Sequence, residues 1–297
     1  MKSNPLAHSL ILALALGTGN AVAQSGSTTA TTTDGPSLQL QHIRNATTKV
    51  TYGDTTFLVD PMLAQKDTYP GFEGTYRSEL RNPMIELPMP AQAVIEDVDA
   101  AIVTHTHLDH WDDAAQALLP KTMPLFVQND DDADTIRAQG FTDVRVVGEH
   151  TEFNGITLSR TGGQHGTDQM YAAPPLAELL GEAMGVVLRD DNGKTLYFAG
   201  DTIWRPEVQD TLTQYRPDVI VLNTGDARVD GFEGAIIMGK QDTLRALEQA
   251  PQATVVAVHM DAVNHAALSR EELRRFVQEK GVQDRVLVPA DGEVMTF

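Results

Sequence analysis

The sequence predicts a mixed α/β (α+β) domain, and three observations support this fold class. β-prone runs follow one another closely at the start of the domain, whereas later runs alternate with segments of helical periodicity. Hydrophobic residues make up 41% of the 297 residues, which is enough to bury a large core. No internal repeat or second linker is evident, so a single domain over residues 37–297 is the simplest organisation.

The first 23 residues have the pattern of a secretory signal peptide. Lys2 precedes an apolar stretch at 10–16, and Ala21 and Ala23 form the small-x-small pattern of a cleavage site. The apolar stretch is too short to span a bilayer. We therefore expect residues 1–23 to be removed and the mature protein to be periplasmic or secreted.

Residues 24–36 are small and polar without periodic apolar positions, so we expect a disordered linker. The absence of cysteine excludes disulfides and a lipid-anchored cysteine. A net charge of −19, without runs of Lys or Arg, disfavours nucleic acid and anionic membranes as partners. No other segment suggests membrane insertion of the mature chain. The expected partner is a small-molecule substrate, and the oligomeric state is not indicated.

Short apolar runs bounded by turn residues mark the first strands of the domain. Those at 38–43, 49–52 and 56–60 are close enough in sequence to pair as antiparallel strands. Residues 62–90 have no clear period and are rich in aromatic residues, Pro and Gly. A loop of this length is usually a lid, a binding loop or disordered, and the aromatic content favours a lid. The run at 100–103 predicts the next strand.

From residue 125 onward, predicted strands and helices alternate. The strands lie at 125–128, 144–147, 156–160, 185–189, 195–199, 219–223, 254–259 and 285–289. The helices lie at 131–139, 176–184, 241–249 and 270–279. The letters D-D-N-G at 190–193 indicate a hairpin turn between two of these strands.

A cluster of metal-ligand residues follows the strand at 100–103, within the letters T-H-T-H-L-D-H-W-D. His105 and His107 point the same way if the strand continues, because side chains alternate along a strand. A turn into a helix then brings Asp109 and His110 to the same space. Imidazole and carboxylate suit zinc, so the cluster predicts a dinuclear metal site. The alternative is a polar loop whose histidines cap a helix or lie on the surface.

Three further ligand-type residues stand where predicted strands end. His165 lies in a Gly-Gly-Gln-His-Gly segment, Asp201 follows Ala-Gly, and His259 closes an apolar run. Each alone has the alternative of a turn or cap residue, but together with the cluster they indicate one site. His265 competes for the last position. We favour His259 because it ends a strand, and we expect His265 to contact the ligands or the substrate.

The order of these residues resembles that of the metallo-β-lactamase superfamily: H-x-H-x-D-H, a lone histidine, a Gly-Asp at a strand end and a final histidine. The resemblance spans most of the chain after the linker and implies a four-layer αββα sandwich. It also implies two divalent metal ions, zinc in the first place, with manganese or iron as alternatives. The implied ligands are His105, His107 and His165 for the first metal, Asp109, His110 and His259 for the second, and Asp201 as a bridge.

The resemblance further implies the chemistry. A metal-bridging hydroxide attacks the substrate, and Asp109 and Asp201 are the catalytic carboxylates, Asp109 by steering the proton. Three more carboxylates, Asp60, Asp112 and Asp226, are candidates to orient the imidazoles, and the alternative for each is a turn or helix-cap residue.

Some residues of this chain differ from those of particular branches of the superfamily, and these differences reduce the number of expected functions. The commonest true β-lactamases carry a cysteine where this chain has Asp201, which argues against penicillin hydrolysis. Leu-Val-Asp-Pro at 58–61 and Gly-Asp-Thr at 200–202 resemble the L-ascorbate-6-phosphate lactonase-like branch. We therefore expect a metal-dependent hydrolase that cleaves a small ester or lactone.

Two alternative functions remain open at this point. A phosphodiester hydrolase would use the same dinuclear site, with Lys240, Arg205 or Arg228 to bind phosphate. A non-catalytic metal-binding protein would keep the fold and lose the chemistry.

Two tryptophans are candidates to line an apolar pocket above the metals. Trp111 and Trp204 each lie close in sequence to a proposed metal ligand.

Overall fold

Two mixed β-sheets, packed face to face with helices outside, form the body of the protein. The computed structural model describes residues 37–297. The predicted signal peptide and linker lie outside the described residues. In the described part, the strands are β1 (Leu38–Arg44), β2 (Thr47–Tyr52), β3 (Thr55–Val59), β4 (Ala100–Val103), β5 (Leu125–Val127), β6 (Val144–Val146), β7 (Thr151–Phe153), β8 (Ile156–Thr161), β9 (Gly185–Arg189), β10 (Leu196–Phe198), β11 (Val219–Asn223), β12 (Thr254–Val258), β13 (Val286–Leu287) and β14 (Val294–Thr296).

The helices lie in the connections between these strands. They are α1 (Ala91–Ile95), α2 (Asp113–Leu118), α3 (Asp130–Ala138), α4 (Asp168–Tyr171), α5 (Pro174–Leu180), α6 (Pro206–Tyr215), α7 (Lys240–Gln249) and α8 (Arg270–Glu279). None of the helices within residues 37–297 has the length and apolar character needed to cross a membrane.

The two sheets have the same internal plan. The first runs in the order β14-β1-β2-β3-β4-β5-β6 and the second in the order β13-β12-β11-β10-β9-β8-β7. In the first sheet, pairing is antiparallel from β14 to β3 and parallel from β3 to β6. In the second, it is parallel from β13 to β10 and antiparallel from β10 to β7. Parallel neighbours end at the same edge, which is where residues from distant parts of the chain can meet.

Strands buried on both faces separate the hydrophobic core into layers. In β4, Ala100 and Ile102 face the core between the sheets, whereas Ala101 and Val103 face the layer that contains α1, α2 and α3. The second sheet similarly divides its side chains between the central core and a layer with α6, α7 and α8. This explains the continuous apolar runs in the sequence. The predicted four-layer αββα sandwich is thereby confirmed.

The sequence prediction missed the helices α1, α2, α4 and α6 and the strands β7 and β14, and its other differences from the structure occur at element ends. The helix expected over 176–184 is α5 and ends at Leu180, because Gly181 follows it with φ 59, a conformation that favours glycine. Leu180 packs with Met170, Ile236 and other residues in a small separate cluster beside the functional site. The end of α5 therefore lies near the site that the strand ends create.

Candidate metal centre

The seven ligand-type side chains predicted from the sequence come together at the carboxyl ends of strands from both sheets. His105 follows β4, His165 follows β8, Asp201 follows β10 and His259 follows β12 directly. The group is almost sealed from solvent, since six of its members are at most 5% exposed: His105, Asp109, His110, His165, Asp201 and His259. His107 is partly exposed.

Hydrogen bonds on the outer side of the imidazoles set which nitrogen faces inward. Nε2–H of His107 donates to the carbonyl oxygen of Leu179 (2.9 Å), and Nδ1–H of His165 donates to that of Ile236 (2.9 Å). A carbonyl oxygen can only accept, so these bonds fix the tautomers. The inward nitrogens, Nδ1 of His107 and Nε2 of His165, therefore carry lone pairs.

Asp60 organises two more imidazoles from behind. Its carboxylate accepts from His110 Nδ1–H (2.9 Å), from the Thr104 backbone N–H (2.8 Å) and from the Thr104 hydroxyl (2.8 Å). The Thr104 oxygen, its own hydrogen committed to Asp60, accepts from Nδ1–H of His105 (3.2 Å). Nε2 of both His105 and His110 is left to face the centre. Asp60 holds this position with φ 48, a backbone strain typical of functional sites.

The inward nitrogens lie so close to one another that a cation between them would be stabilising. Nε2 of His105 lies 3.0 Å from Nδ1 of His107, and Nε2 of His110 lies 3.1 Å from Nε2 of His259. Burial lowers the pKa of His107 to about 4 and that of His105 well below its usual value, so both rings are neutral at pH 7. Two neutral rings with facing lone pairs repel each other unless a cation lies between them. The donor set therefore fits a divalent metal.

Two buried carboxylates complete the centre. Oδ2 of Asp201 lies 3.2 Å from Nε2 of His110, 3.6 Å from Nε2 of His165 and 3.7 Å from Nε2 of His259. Oδ2 of Asp109 lies 3.3 Å from Nε2 of His259 and has no hydrogen-bond partner. A buried carboxylate oxygen without a donor is costly, which again points to a bound cation.

The carboxylates and imidazoles of the centre shift one another's pKa values. Burial alone would raise the pKa of the Asp109 and Asp201 carboxyls, but the imidazoles, His110 first, hold both pKa values well below the usual range. Burial alone would lower the pKa of His110, but Asp201, Asp60 and Asp109 hold it well above 6.5. Buried anionic charge therefore has to be balanced at this point by a proton or by a metal ion.

The ligand atoms form overlapping groups. Within each, all atoms lie within 4.8 Å of one another, and the groups are His105, His107 and His165; His105, His110 and Asp201; and Asp109, His110 and His259. The first and third correspond to the two ligand sets that the resemblance implies, and Asp201 lies close to histidines of both.

Comparison with known proteins decides the family. The profile of the Beta-lactamase superfamily domain matches residues 55–260, which is more than half of the chain. The UPF0173 protein YddR of Bacillus subtilis is 45% identical over 261 residues, covering 88% of this chain and 100% of YddR. The chain belongs to the metallo-β-lactamase superfamily and, within it, to the UPF0173 metal-dependent hydrolases.

Further relatives and solved structures agree with this assignment. A UPF0173 metal-dependent hydrolase of Pyrococcus abyssi is 29% identical over 67% of this chain and 81% of its own length. A possible metal-dependent hydrolase from Veillonella parvula has 51% identity and a TM-score of 0.87, covering 88% of this chain and 100% of that one. An isothiocyanate hydrolase from Delia radicum gut bacteria has 48% identity and a TM-score of 0.84, covering 87% and 99%.

These findings confirm the predicted superfamily and the general activity of a metal-dependent hydrolase. The narrower resemblance to the L-ascorbate-6-phosphate lactonase-like branch stays a prediction.

A cavity of about 510 Å³ opens beside the centre of this hydrolase. Three members of the ligand group line it, namely His107, Asp109 and His165. Most of its remaining wall is apolar and consists of Phe72, Leu108, Leu179, Leu180, Val229 and Ile236. The carbonyl of Leu179 orients His107 while its side chain lines the cavity, so the end of α5 links the wall to the centre.

The segment 62–90, expected to be a lid, is bound firmly to the body of the protein. The buried guanidinium of Arg44 donates to the carbonyl oxygens of Met62 (2.9 Å), Ala64 (2.9 Å) and Ile85 (3.0 Å). The Asn264 side chain accepts from the Phe72 backbone N–H (3.0 Å) and makes three further bonds within the segment. Phe72 is thereby held as a fixed wall of the cavity.

The structure places several other predicted residues away from the centre. Asp226 contacts no imidazole, and its carboxylate pairs instead with Arg228 at 2.6 Å. Asp112 caps α2 by accepting from the Ala115 backbone N–H (2.7 Å). Trp111 is 2% exposed and packs in the core against α2 and α3. It therefore does not line the mouth of the cavity, although the sequence had suggested this. Trp204 lines a separate cavity of about 460 Å³.

Other contributors carry no sequence signal of their own. Asn45, in the turn between β1 and β2, donates from its side-chain amide to the backbone oxygen of Asp109 (3.0 Å), and its backbone carbonyl oxygen accepts from the backbone N–H of His259 (2.8 Å). Asn223, at the end of β11, donates to Oδ1 of Asp201 (2.7 Å). The position of Asn223 at the end of a predicted strand was the one available hint.

Proposed function

We propose that this metal-dependent hydrolase acts on a small, neutral, largely apolar electrophile, with an isothiocyanate as the leading substrate class, and that it uses two metal ions. The apolar cavity that opens onto His107, Asp109 and His165 carries the proposal. A volume of about 510 Å³ lies within the usual range for small-molecule sites. The family relationship to an isothiocyanate hydrolase at 48% identity supports the substrate class.

The absence of a cation in the cavity wall favours a neutral substrate. Neither Lys nor Arg is among the residues that line it. The three cations considered for phosphate are each paired with a carboxylate: Lys240 with Glu272 (2.6 Å), Arg205 with Asp168 (2.7 Å) and Arg228 with Asp226 (2.6 Å). A phosphodiester would find no Lys or Arg in this cavity to bind its charge beside the proposed metal ions, which makes that alternative the weaker one.

The proposed stoichiometry is two metals per chain. His105, His107 and His165 would hold the first ion, and Asp109, His110 and His259 the second, with Asp201 between them. Support comes from the overlapping ligand groups and from Oδ2 of Asp201, which lies within 3.7 Å of histidines from both sets. Metal analysis of the purified chain should give about two ions, zinc being the first candidate.

The bound ions would supply Lewis acidity, which lowers the pKa of a water molecule toward about 7 and polarises the substrate. The protein supplies position and proton handling. Asp109 lines the cavity, so the carboxylate oxygen that does not hold a metal would be available to accept the proton of the attacking water. The apolar wall excludes bulk water and holds the organic group of the substrate.

For an isothiocyanate, the chemistry balances with one water molecule. The water oxygen bonds to the central carbon of N=C=S, and a proton goes to nitrogen, which gives a thiocarbamic acid. The C–N bond then breaks, the nitrogen gains a second proton from the acid, and an amine and carbonyl sulfide leave. For an ester or lactone, the second candidate, the same attack at a carbonyl carbon breaks the C–O bond.

A substrate panel tests the proposed function. The zinc-loaded chain is assayed with benzyl isothiocyanate, a γ-lactone, an aryl ester, an aryl phosphodiester and a β-lactam. We expect benzyl isothiocyanate to be turned over with the highest kcat/KM. Turnover of the lactone or the ester alone would show that the substrate is a carboxylic ester and not an isothiocyanate, while metal-dependent hydrolysis would stand. Tight metal binding without any turnover would favour a metal-binding protein instead.

We also propose export of the protein, on the pattern of residues 1–23. Sequencing of the amino terminus of the protein purified from its producing cells should find Gln24 first. Retention of Met1 on the native protein would contradict export by this route.

A further inference from the structure

Three polar side chains outside the ligand set line the cavity beside the metal centre, and one of them is both buried and without a hydrogen-bond partner. They are Glu73, Thr75 and His265. Glu73 is exposed. The Thr75 hydroxyl donates to the Phe72 carbonyl oxygen (2.7 Å) and accepts from the Asn264 side chain (2.9 Å), so it is already satisfied. His265 is left as the group that can bind a substrate atom.

The ring of His265 is fixed in position between the cavity wall and the centre. It is 5% exposed, and it packs edge-to-face against Phe72 with ring centroids 5.0 Å apart and against His259 at 6.3 Å. Asn264, the preceding residue, is hydrogen-bonded to both Phe72 and Thr75. A ring held this way offers a preorganised donor, because little entropy is lost when a substrate binds.

The two nitrogens of this ring have different surroundings. Nδ1 is buried without a hydrogen-bond partner, which leaves Nε2 as the nitrogen that reaches the cavity. His265 is also absent from the groups of ligand atoms that lie close enough to share a metal. An imidazole carries at least one N–H, and an N–H on Nε2 gains an acceptor when a substrate enters the cavity.

We propose that His265 is a further catalytic residue: its Nε2–H donates a hydrogen bond to the terminal atom of the substrate's C=S or C=O group. This inference rests on the proposed function for the identity of that group. Negative charge grows on the terminal sulfur or oxygen as water adds to the carbon, so the bond strengthens in the transition state. The ligand class is therefore a small thiocarbonyl or carbonyl compound with an apolar substituent that contacts Phe72, Leu179 and Ile236.

Two replacements of His265 separate donation from packing. His265→Leu removes the donor and keeps a similar volume, whereas His265→Gln retains an N–H donor. With benzyl isothiocyanate and the zinc-loaded chain, we expect His265→Leu to lower kcat/KM about 100-fold, mainly through kcat. His265→Gln should recover about tenfold of that loss. The exposed His150 provides the control, and His150→Leu should leave both constants unchanged.

A binding measurement makes the result independent of turnover. Benzylthiourea carries the same C=S group and is not hydrolysed under assay conditions, and its affinity is measured by calorimetry. We expect His265→Leu to weaken its binding about tenfold, the loss of one hydrogen bond of about 1.4 kcal/mol. Metal content and Tm should match those of the wild type in both variants.

The outcomes distinguish this inference from the proposed function. If the wild type hydrolyses no isothiocyanate but His265→Leu still weakens benzylthiourea binding, the substrate class fails and the role of His265 stands. If hydrolysis is present and His265→Leu equals the wild type in kcat, KM and binding, the role of His265 is overturned. Loss of metal in His265→Leu with retention in His259→Ala would also overturn it, because His265 would then be the ligand. Absence of both hydrolysis and benzylthiourea binding would reject both.

Discussion

Four imidazoles of the candidate metal centre donate a hydrogen bond from the ring nitrogen that faces away from the centre, and the acceptor of that bond orients the ring. For His107 and His165 the acceptor is a backbone carbonyl, and for His105 and His110 it is Asp60, directly or through Thr104. Such partners fix the tautomer and the ring plane, so they contribute to metal affinity although they do not touch the metal.

Asp60 provides a direct test of that contribution. Asp60→Asn replaces one acceptor oxygen with an NH₂ group, which accepts no hydrogen bond, so the side chain can no longer accept from His110, the Thr104 hydroxyl and the Thr104 backbone N–H together. We expect metal affinity to fall about 10–100-fold, measured by competition with a chelator of known affinity.

Asp226 is a matched control for this variant. Both residues have φ 48, but Asp226 pairs with Arg228 at 2.6 Å and not with an imidazole. We expect Asp226→Asn to leave metal affinity unchanged. Equal losses in the two variants would show that Asp60 has no special role, and a loss in Asp226→Asn alone would restore Asp226 as the predicted orienting group.

His107→Ala tests the first ligand group. It removes the inward Nδ1 that lies 3.0 Å from Nε2 of His105, and we expect at least one metal ion per chain and more than about 10³-fold of hydrolysis to be lost. The chain should stay folded by circular dichroism, because the ring is partly exposed and lies outside the core. The control His150→Ala replaces an exposed histidine. Retained metal and activity in His107→Ala would remove this residue from the site.

At the scale of elements, the segment 62–90 and helix α5 both contribute to the cavity wall. The segment has almost no regular secondary structure, yet bonds from Arg44 and Asn264 fix it. Composition predicted a loop correctly and suggested a lid, because the anchoring residues lie 18 or more positions away and are not visible in the loop itself.

Asn264 is the main anchor of that wall on the carboxyl-terminal side. Its buried amide makes four hydrogen bonds to the segment, and Asn264→Ala leaves their partners unsatisfied. We expect the free energy of unfolding in urea to fall by about 2–4 kcal/mol. Limited proteolysis should also cut within residues 62–90 more rapidly.

The exposed Asn192, in the turn between β9 and β10, is the control for this variant. Asn192→Ala should change stability by less than about 0.5 kcal/mol. Equal stability of Asn264→Ala and the wild type would mean that other contacts suffice to hold the wall.

At the scale of the whole molecule, the metal centre joins the two sheets. His105 comes from the first sheet, whereas His165, Asp201 and His259 come from the second. A metal bound by both should therefore stabilise the folded chain, because the unfolded chain cannot present these ligands together.

Metal removal should lower the thermal stability measurably. At a free metal concentration about 1,000 times Kd, binding contributes about 4 kcal/mol, which corresponds to roughly 10 °C in Tm for a domain of this size. Calorimetry with and without a chelator measures the shift, and added zinc should restore it. The shift should be much smaller in His107→Ala. An unchanged Tm after complete metal removal would contradict a centre that joins the sheets.

The sequence by itself predicted twelve of the fourteen strands of the described residues, all but β7 and β14, and the residue types of the candidate ligands. Apolar runs of four to seven residues predict strands because burial on both faces leaves little room for polar residues. The cluster from His105 to His110 was recognisable because four ligand-type residues lie within six positions. The expected continuation of the strand and early start of a helix are absent, since β4 ends at Val103 and α2 begins at Asp113.

Only the tertiary structure decided which distant groups meet. The pairing of His110 with His259, 149 positions later, depends on how the two sheets pack, which no local pattern encodes. The Leu179 carbonyl that orients His107 is a backbone atom, and every residue has one, so its role leaves no mark in the sequence. The same holds for the Nε2 of His265, whose access to the cavity depends on the fixed position of Phe72. Sheet packing and anchored loops act over long range, whereas sequence patterns report short-range geometry.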